Sequence, residues 1–214
     1  MSSERAAAAR LVSGDPEAMR RLDAFVEVFD RWSRTLNLIA AKDRPHLWTR
    51  HVADSLQLIR LIGTPRRLVD LGSGGGFPGM ILAVALAGRP GFQVDLVDSD
   101  QRKCAFLREA ARATGAPARV HAARIDDWLA GWGEPVDAIT ARALAPLRQL
   151  IEWTHSRLTA GATGWFLKGQ TVDMEMAECT IYGDFNFIKH ASVTSRDGTI
   201  LEIRRRALEG GGDG

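Results

Sequence analysis

One stretch restricts the fold more than any other part of the chain: Asp70-Leu71-Gly72-Ser73-Gly74-Gly75-Gly76-Phe77-Pro78-Gly79. The short apolar run Leu68-Val69-Asp70-Leu71 leads into it as a predicted strand, and an Ala- and Leu-rich helix over residues 78–88 is predicted after it. A strand, a glycine loop and a helix in that order belong to an open α/β sheet, whose ligands bind at the carboxyl ends of the strands. Glycines there permit positive φ and let a ligand approach the backbone. A dinucleotide fingerprint would need glycine at 72, 74 and 77, but position 77 is Phe. A phosphate-cradling P-loop is excluded more firmly, because no Gly-Lys-Ser/Thr follows.

Asp98 is the second informative residue. It ends the next apolar run, Phe92 to Val97, where a carboxylate can accept hydrogen bonds from the hydroxyls of a ribose. Asp95 and Asp100 lie nearby, but only Asp98 falls at the carboxyl end of that strand. Two duller readings stay open: a glycine turn without a ligand, and Asp98 as a helix cap.

Around this unit the chain alternates between strands and helices, which predicts a mostly parallel sheet covered on both faces. A helix follows at 101–114, then a weak strand at Val120 and a clearer one at Val136–Thr140. A helix (146–158), a strand (Gly164–Leu167) and a helix (171–181) come next. Residues 185–193 and 199–205 read as a hairpin turning at Asp197-Gly198, which places an antiparallel strand at or near one edge. Ahead of the sheet, Asp15-Pro16-Glu17 opens an amphipathic helix with Leu22, Val26, Phe29 and Trp32 on one face. Pro45 opens a second, carrying Arg50 over Asp54 and His51 over Ser55. The expected layout is therefore a frayed tail at 1–14, an N-terminal helical extension at 15–64, an α/β domain at 65–206 and a disordered glycine-rich tail at 207–214.

Composition narrows the class further. Apolar residues at 45% and charged residues at 25% exclude a disordered or low-complexity chain. No apolar stretch is long enough to span a bilayer, and the N-terminus lacks a secretory layout. The two cysteines, Cys104 and Cys179, form no CxxC pair, so neither a disulfide scaffold nor a cysteine metal site is expected, and a reducing cytoplasm fits best. The net charge is only +2, but residues 31–67 hold eight Lys/Arg against two acids and residues 102–124 six against one. Two such regions can make one face for phosphate, or can simply be solvated helices.

The Asp70-x-Gly72-x-Gly74-x-Gly76 spacing resembles the first motif of class I S-adenosylmethionine methyltransferases. Further segments resemble one family, the bacterial RsmG (GidB) methyltransferases: Asn37-Leu38, Arg50-His51-x-x-Asp54-Ser55, the Gly72–Gly79 loop, Asp98-Ser99 with Arg102-Lys103 and Phe106-Leu107, Arg124 with Asp126, Arg142-Ala143 and Lys168-Gly169. The resemblance runs from about residue 20 to 205 and implies a class I methyltransferase fold, Rossmann-like with an antiparallel edge hairpin. It implies a cytoplasmic enzyme that uses S-adenosylmethionine to methylate N7 of a guanine in 16S ribosomal RNA (position 527 in the usual rRNA numbering). The small ribosomal subunit would be its partner, and nothing demands more than a monomer. Cofactor contacts are implied at Gly72, Gly74, Phe77, Asp98, Ile125, Asp126 and Arg142. Residues 170–195 align with no motif.

Guanine N7 carries a lone pair and no proton, so its methylation needs no general base. The absence of a catalytic triad and of an Asn/Asp-Pro-Pro-Tyr/Phe loop agrees with that. Placement of the reacting atoms is the requirement, and can be worth roughly 7–11 kcal/mol of barrier. Candidates for positioning RNA are Arg50, Arg142 and Lys168, with Arg124 behind them. Alternatives remain for each: Arg50 can pair with Asp54, His51 can be a hydrogen-bonded packing residue, and Lys168 can support its turn. The six tryptophans read mostly as core. Rival functions are a methyltransferase of a small molecule or protein, a nicotinamide oxidoreductase, and a non-catalytic ribosome-assembly factor.

Overall fold

The computed structural model of the chain describes residues 3–207. Its centre is a seven-stranded sheet: β1 (Arg67–Leu71), β2 (Gln93–Asp98), β3 (Ala118–Ala122), β4 (Ala138–Arg142), β5 (Thr163–Lys168), β6 (Phe185–Ala191) and β7 (Thr199–Arg205). The spatial order is β3-β2-β1-β4-β5-β7-β6. The first five strands are parallel, and β7 lies antiparallel between β5 and β6. The order reverses at β1, so the loop after β1 opens into the crevice beside β4, the place where such sheets bind ligands.

Alternate residues of each strand face opposite sides. Leu68, Val94 and Leu96 join a core formed with the N-terminal helices and with α4 (Gly79–Ala85) and α5 (Gln101–Thr114). Val69, Leu71 and Val97 face the other way, toward α7 (Leu147–Thr159), with α6 (Ile125–Gly131) and α8 (Val172–Ala177) completing that side. The helix starts follow from their caps. Asp15 accepts from the N–H groups of Glu17 and Ala18 ahead of α2 (Pro16–Trp32), and Asp100 from those of Arg102 and Lys103 ahead of α5.

The N-terminal extension has no core of its own. Phe25 and Phe29 of α2 pack against Phe77 of the glycine loop and Phe106 of α5, with ring centroids 5.7–6.0 Å apart. Contacts of this kind are worth about 0.5–1.5 kcal/mol each beyond their area burial. They tie the loop to α2.

Four sequence expectations are corrected. The tail expected to fray at residues 1–14 is helical over Ser3–Leu11, here α1, with Ala8 buried and Arg5 paired with Asp23 of α2. The helix opened by Pro45 is a broken run: a 3-10 turn (Ala41–His46), a π-helical turn (Trp48–Ala53), the single α turn α3 (Asp54–Leu56) and a 3-10 turn (Gln57–Arg60). The π turn widens the spiral, so Arg50 reaches Asp43 at 2.5 Å instead of Asp54. Helix α6 was not expected, because only Leu129 of its seven residues is buried and its apolar period is weak. The helix expected over 171–181 stops at Ala177. Of the glycine-rich tail expected at 207–214, residues 208–214 lie outside the described residues. Trp165 is buried, while Trp32, Trp48, Trp128, Trp132 and Trp153 are half-buried. No helix among the described residues is long and apolar enough to cross a membrane.

Candidate functional site: two clefts joined at Arg142

The glycine loop is held at both ends. The N–H groups of Gly72 and Ser73 donate to the carbonyl of Val97 at 2.9 and 3.1 Å, tying the loop to the end of β2. Asp98 then clamps it: Oδ2 accepts from the N–H of Gly74 and Oδ1 from that of Asp100, both at 2.8 Å. Three positions of the Gly72–Gly79 loop have no room for a side chain, among them Gly75, where a Cβ would stand 2.8 Å from the carbonyl oxygen of Leu38. Gly72 has φ +66°, and a Cβ there would stand 2.5 Å from Leu144 Cδ1. A Cβ on Gly79 would stand 2.4 Å from Asp70 Cβ.

Asp70 explains that close approach. It is fully buried, and its Oδ1 accepts from Thr140 Oγ1 at 2.6 Å. Burial raises its pKa to about 6, against hydrogen bonds from Thr140, Ser73 and the Gly79 backbone. Asp70 therefore joins β1, β4 and the start of α4, and its work is internal to the loop.

All seven residues expected at the cofactor, Gly72, Gly74, Phe77, Asp98, Ile125, Asp126 and Arg142, line one cleft of about 630 Å³. A second cleft of about 580 Å³ lies beside it and is lined by Arg50, Arg142 and Lys168. Asp43, Arg142 and Ala143 line both, so the two clefts share a wall. Volumes of this size suit a small ligand each.

The three expected positioning residues differ in surroundings. Arg50 is exposed and paired with Asp43, whose carboxyl it holds below the usual range. Lys168 is nearly buried; its Nζ lies 2.6 Å from Glu175 Oε2 and donates to the carbonyl of Ala145. Glu175 also accepts from the N–H of Leu147, the first residue of α7, so Lys168 braces α8 against α7. Arg142 closes β4 between the clefts. Its Nη1 stands 3.6 Å from Asp54 Oδ2 and is buried without a hydrogen-bond partner, and burial lowers its pKa against the pull of Asp54 and Asp43. Arg124, exposed, lies 3.5 Å from Asp126.

His51 packs as expected but lacks the hydrogen bonds expected of it. It is buried against Phe77 with ring centroids 4.9 Å apart, yet neither ring nitrogen has a partner. Burial and then the Arg142 charge push its pKa down to about 4, so the ring is neutral at physiological pH. Ser55 instead donates its hydroxyl to the carbonyl of His51 at 2.7 Å. Asp43 and the Ser192–Thr194 turn were missed altogether; neither carries a local pattern, and both reach the site by folding.

The family described as "rRNA small subunit methyltransferase G" matches residues 18–203. The chain belongs to that family. It is 47% identical over 203 residues to the ribosomal RNA small subunit methyltransferase G of Bradyrhizobium sp. (strain ORS 278), covering 95% of this chain and 91% of that one. The namesake from Rhodopseudomonas palustris (strain ATCC BAA-98 / CGA009) is 48% identical over 204 residues, covering 95% and 91%. Among solved structures, cofactor-bound Rv0187 from MTB superposes with a TM-score of 0.59 at 17% identity, over 90% of this chain and 91% of that one. A ribosomal protein L11 methylase from Lactobacillus delbrueckii subsp. bulgaricus gives 0.55 at 20%, over 72% and 79%. These likenesses establish the fold as the class I methyltransferase architecture. The chain is thus a methyltransferase of the small-subunit methyltransferase G family.

Proposed function

We propose that the enzyme methylates N7 of a guanine in 16S ribosomal RNA, position 527 in the usual numbering, acting as a monomer on the small ribosomal subunit in the cytoplasm. The observation that carries this reading is the pair of clefts meeting at Arg142 and Asp43, one suited to a cofactor and the other open beside it for a base.

The residues of the first cleft fit S-adenosylmethionine. Side chains at Gly72 or Gly79 would collapse the cradle. Asp43, Asp98 and Asp126 offer carboxylates to a cation and to ribose hydroxyls, Lys103 and Arg142 offer positive charge to a carboxylate, and Ile125 with Leu144 offers an apolar wall to a purine. Asp98 would hold the ribose while its clamp on Gly74 keeps the loop in shape. When bound, the cofactor supplies a methyl group on a cationic sulfur, and the guanine N7 lone pair takes it with no proton released and the positive charge passing to the base.

The protein's contribution is then placement and charge. Phe77, backed by Phe25 and Phe29, fixes the loop. His51, neutral in its buried position, adds no repulsion to a cleft that takes up a cation. Arg50 and Arg124 stand exposed at the clefts, where a guanidinium can stack on a splayed base or grip phosphate.

The test is incubation of small subunits from a strain lacking this gene with methyl-labelled S-adenosylmethionine, followed by chain cleavage specific for N7-methylguanine. One labelled site per particle is expected. Label at another atom, or none on particles or naked RNA by an enzyme shown to bind the cofactor, would overturn the proposal.

A further inference from the structure

Arg142 and Asp54 face each other where the two clefts meet. Asp54 lines only the second cleft, and Arg142 lines both. Their ion pair stops at 3.6 Å between Nη1 and Oδ2, too long for a hydrogen bond. Nη1 is buried and makes no hydrogen bond in the protein, an uncommon state for a buried donor and one that points to a ligand. The other oxygen of Asp54 is committed. Oδ1 accepts from Thr194 Oγ1 at 2.6 Å and from Gln57 Nε2 at 2.8 Å, and those bonds set the plane of the carboxylate. An acceptor, Asp54 Oδ2, and a donor, Arg142 Nη1, therefore stand side by side at the junction, and Nη1 has no hydrogen-bond partner among the described residues.

Resting on the guanine-N7 reaction proposed above, we infer that this pair reads the target base: Asp54 Oδ2 accepts from N1–H, and Arg142 Nη1 donates to O6. Guanine carries N1–H, O6 and N7 in that order along its rim. With N1 at Asp54 in the second cleft and O6 at Arg142 on the shared wall, N7 comes next, on the cofactor's side. The same two contacts select the base and aim the atom that reacts. Adenine presents an acceptor at N1 and a donor at N6, so both contacts become like against like. Arg142 reaches O6 with one nitrogen and leaves N7 unblocked, unlike the bidentate arginine grip on O6 and N7 that reads guanine in a duplex. The carboxylate contact strengthens as the base gains positive charge, so part of its effect falls on kcat.

The experiment uses small subunits reconstituted with 16S RNA carrying guanine, inosine, 1-methylguanine or adenine at the target position. Wild-type enzyme is compared with Asp54→Asn and Thr194→Val. Inosine keeps N1–H and O6 and lacks only the 2-amino group, so the wild type methylates it within about threefold of guanine; 1-methylguanine, which loses the N1–H contact and sets a methyl group against Asp54, and adenine, which loses both contacts, fall by roughly 100-fold or more in kcat/KM. Asp54→Asn replaces an acceptor with an amide that can also donate. It lowers the rate on guanine by roughly 10- to 100-fold and on adenine far less, so the guanine-to-adenine ratio collapses at least tenfold. Binding of S-adenosylmethionine, followed by calorimetry, stays within about threefold because Asp54 does not line that cleft. Thr194→Val removes one of the two bonds that set the carboxylate plane, together with the Thr194 contacts to Ser192 and Gln57, and keeps Oδ2 as an acceptor; the rate on guanine falls while the guanine-to-adenine ratio drops far less than in Asp54→Asn, which separates readout from loop anchoring. Inosine failing as adenine does, or an unchanged ratio in Asp54→Asn while wild type methylates guanine, overturns the inference and leaves the reaction standing. No methyl transfer to guanine particles by the wild type overturns the reaction itself, and the inference with it.

Discussion

Replacing Asp98 probes the two roles that meet in one side chain. From the sequence alone, Asp98→Ala should weaken cofactor binding severely and leave folding intact. The structure revises that expectation, because each carboxylate oxygen accepts a backbone N–H at 2.8 Å, from Gly74 and from Asp100, in a buried position. Hydrogen bonds to a charged group are worth about 1.5–3 kcal/mol each, so the alanine variant should lose roughly 3–6 kcal/mol of stability. For a chain of this length that corresponds to roughly 6–24 °C in Tm. Asp98→Asn has one acceptor oxygen for the two donors and should lose about half as much. Cofactor affinity should behave differently: both variants lose the paired ribose contacts, and both should bind at least about 100-fold more weakly. Urea denaturation gives the stabilities and calorimetric titration with S-adenosylmethionine gives the affinities. A stability loss under about 1 kcal/mol in Asp98→Ala would show that the carboxylate does not anchor the loop. Stability lost with affinity retained would show that it does not hold the ribose.

Further expectations follow from the same structure. His51 titrates near 4 when folded and near 6.5 when unfolded, so the unfolded chain binds more protons between those values; the stability this lends is present above pH 6.5 and drains as pH falls toward 4. His51→Phe should therefore remove about 2 kcal/mol of the loss between pH 7 and pH 5, measured by denaturation at both values. Asp70 has the opposite sign, its folded pKa of about 6 lying above 3.8, so its contribution is present below 3.8 and is lost as pH rises through 6; a variant profile steeper than wild type on the acid side would sink the His51 assignment. Gly79→Ala drives a Cβ into Asp70 and should cost about 1–3 kcal/mol or more together with cofactor binding, whereas Gly88→Ala, whose Cβ meets nothing within 4 Å, should leave cofactor binding untouched. Lys168→Met strands Glu175 beside α7 and should cost up to about 3–5 kcal/mol in thermal or chemical unfolding, with part regained in the Lys168→Met/Glu175→Gln double variant.

The parts of the molecule legible in the sequence are those set by local chemistry. The glycine loop is readable because few structures other than a ligand-facing turn require so many glycines between a strand and a helix. The parallel sheet is readable from alternating elements, and the reversed strand β7 from the Asp197-Gly198 turn. What stayed hidden depends on contacts distant in the chain. Helix α1 shows no apolar stripe, and its docking through Arg5 to Asp23 and Glu4 to His46 follows no local rule. The π turn at Trp48–Ala53 is invisible to a 3.6-residue period, which is why Arg50 was set over Asp54 and not beside Asp43. In the site, one-letter motifs locate Asp54 and Arg142, but only folding sets them at 3.6 Å and brings Thr194 to the same carboxylate.

A crystal structure with S-adenosylhomocysteine bound would test the arrangement of the two clefts most directly. The ribose should lie at Asp98, the purine between Ile125 and Leu144, and the sulfur should face the shared wall at Asp43 and Arg142. A sulfur turned away from that wall, or a ligand in the second cleft lined by Asp54 and Lys168, would contradict the assignment of one cleft to the cofactor and the other to the base.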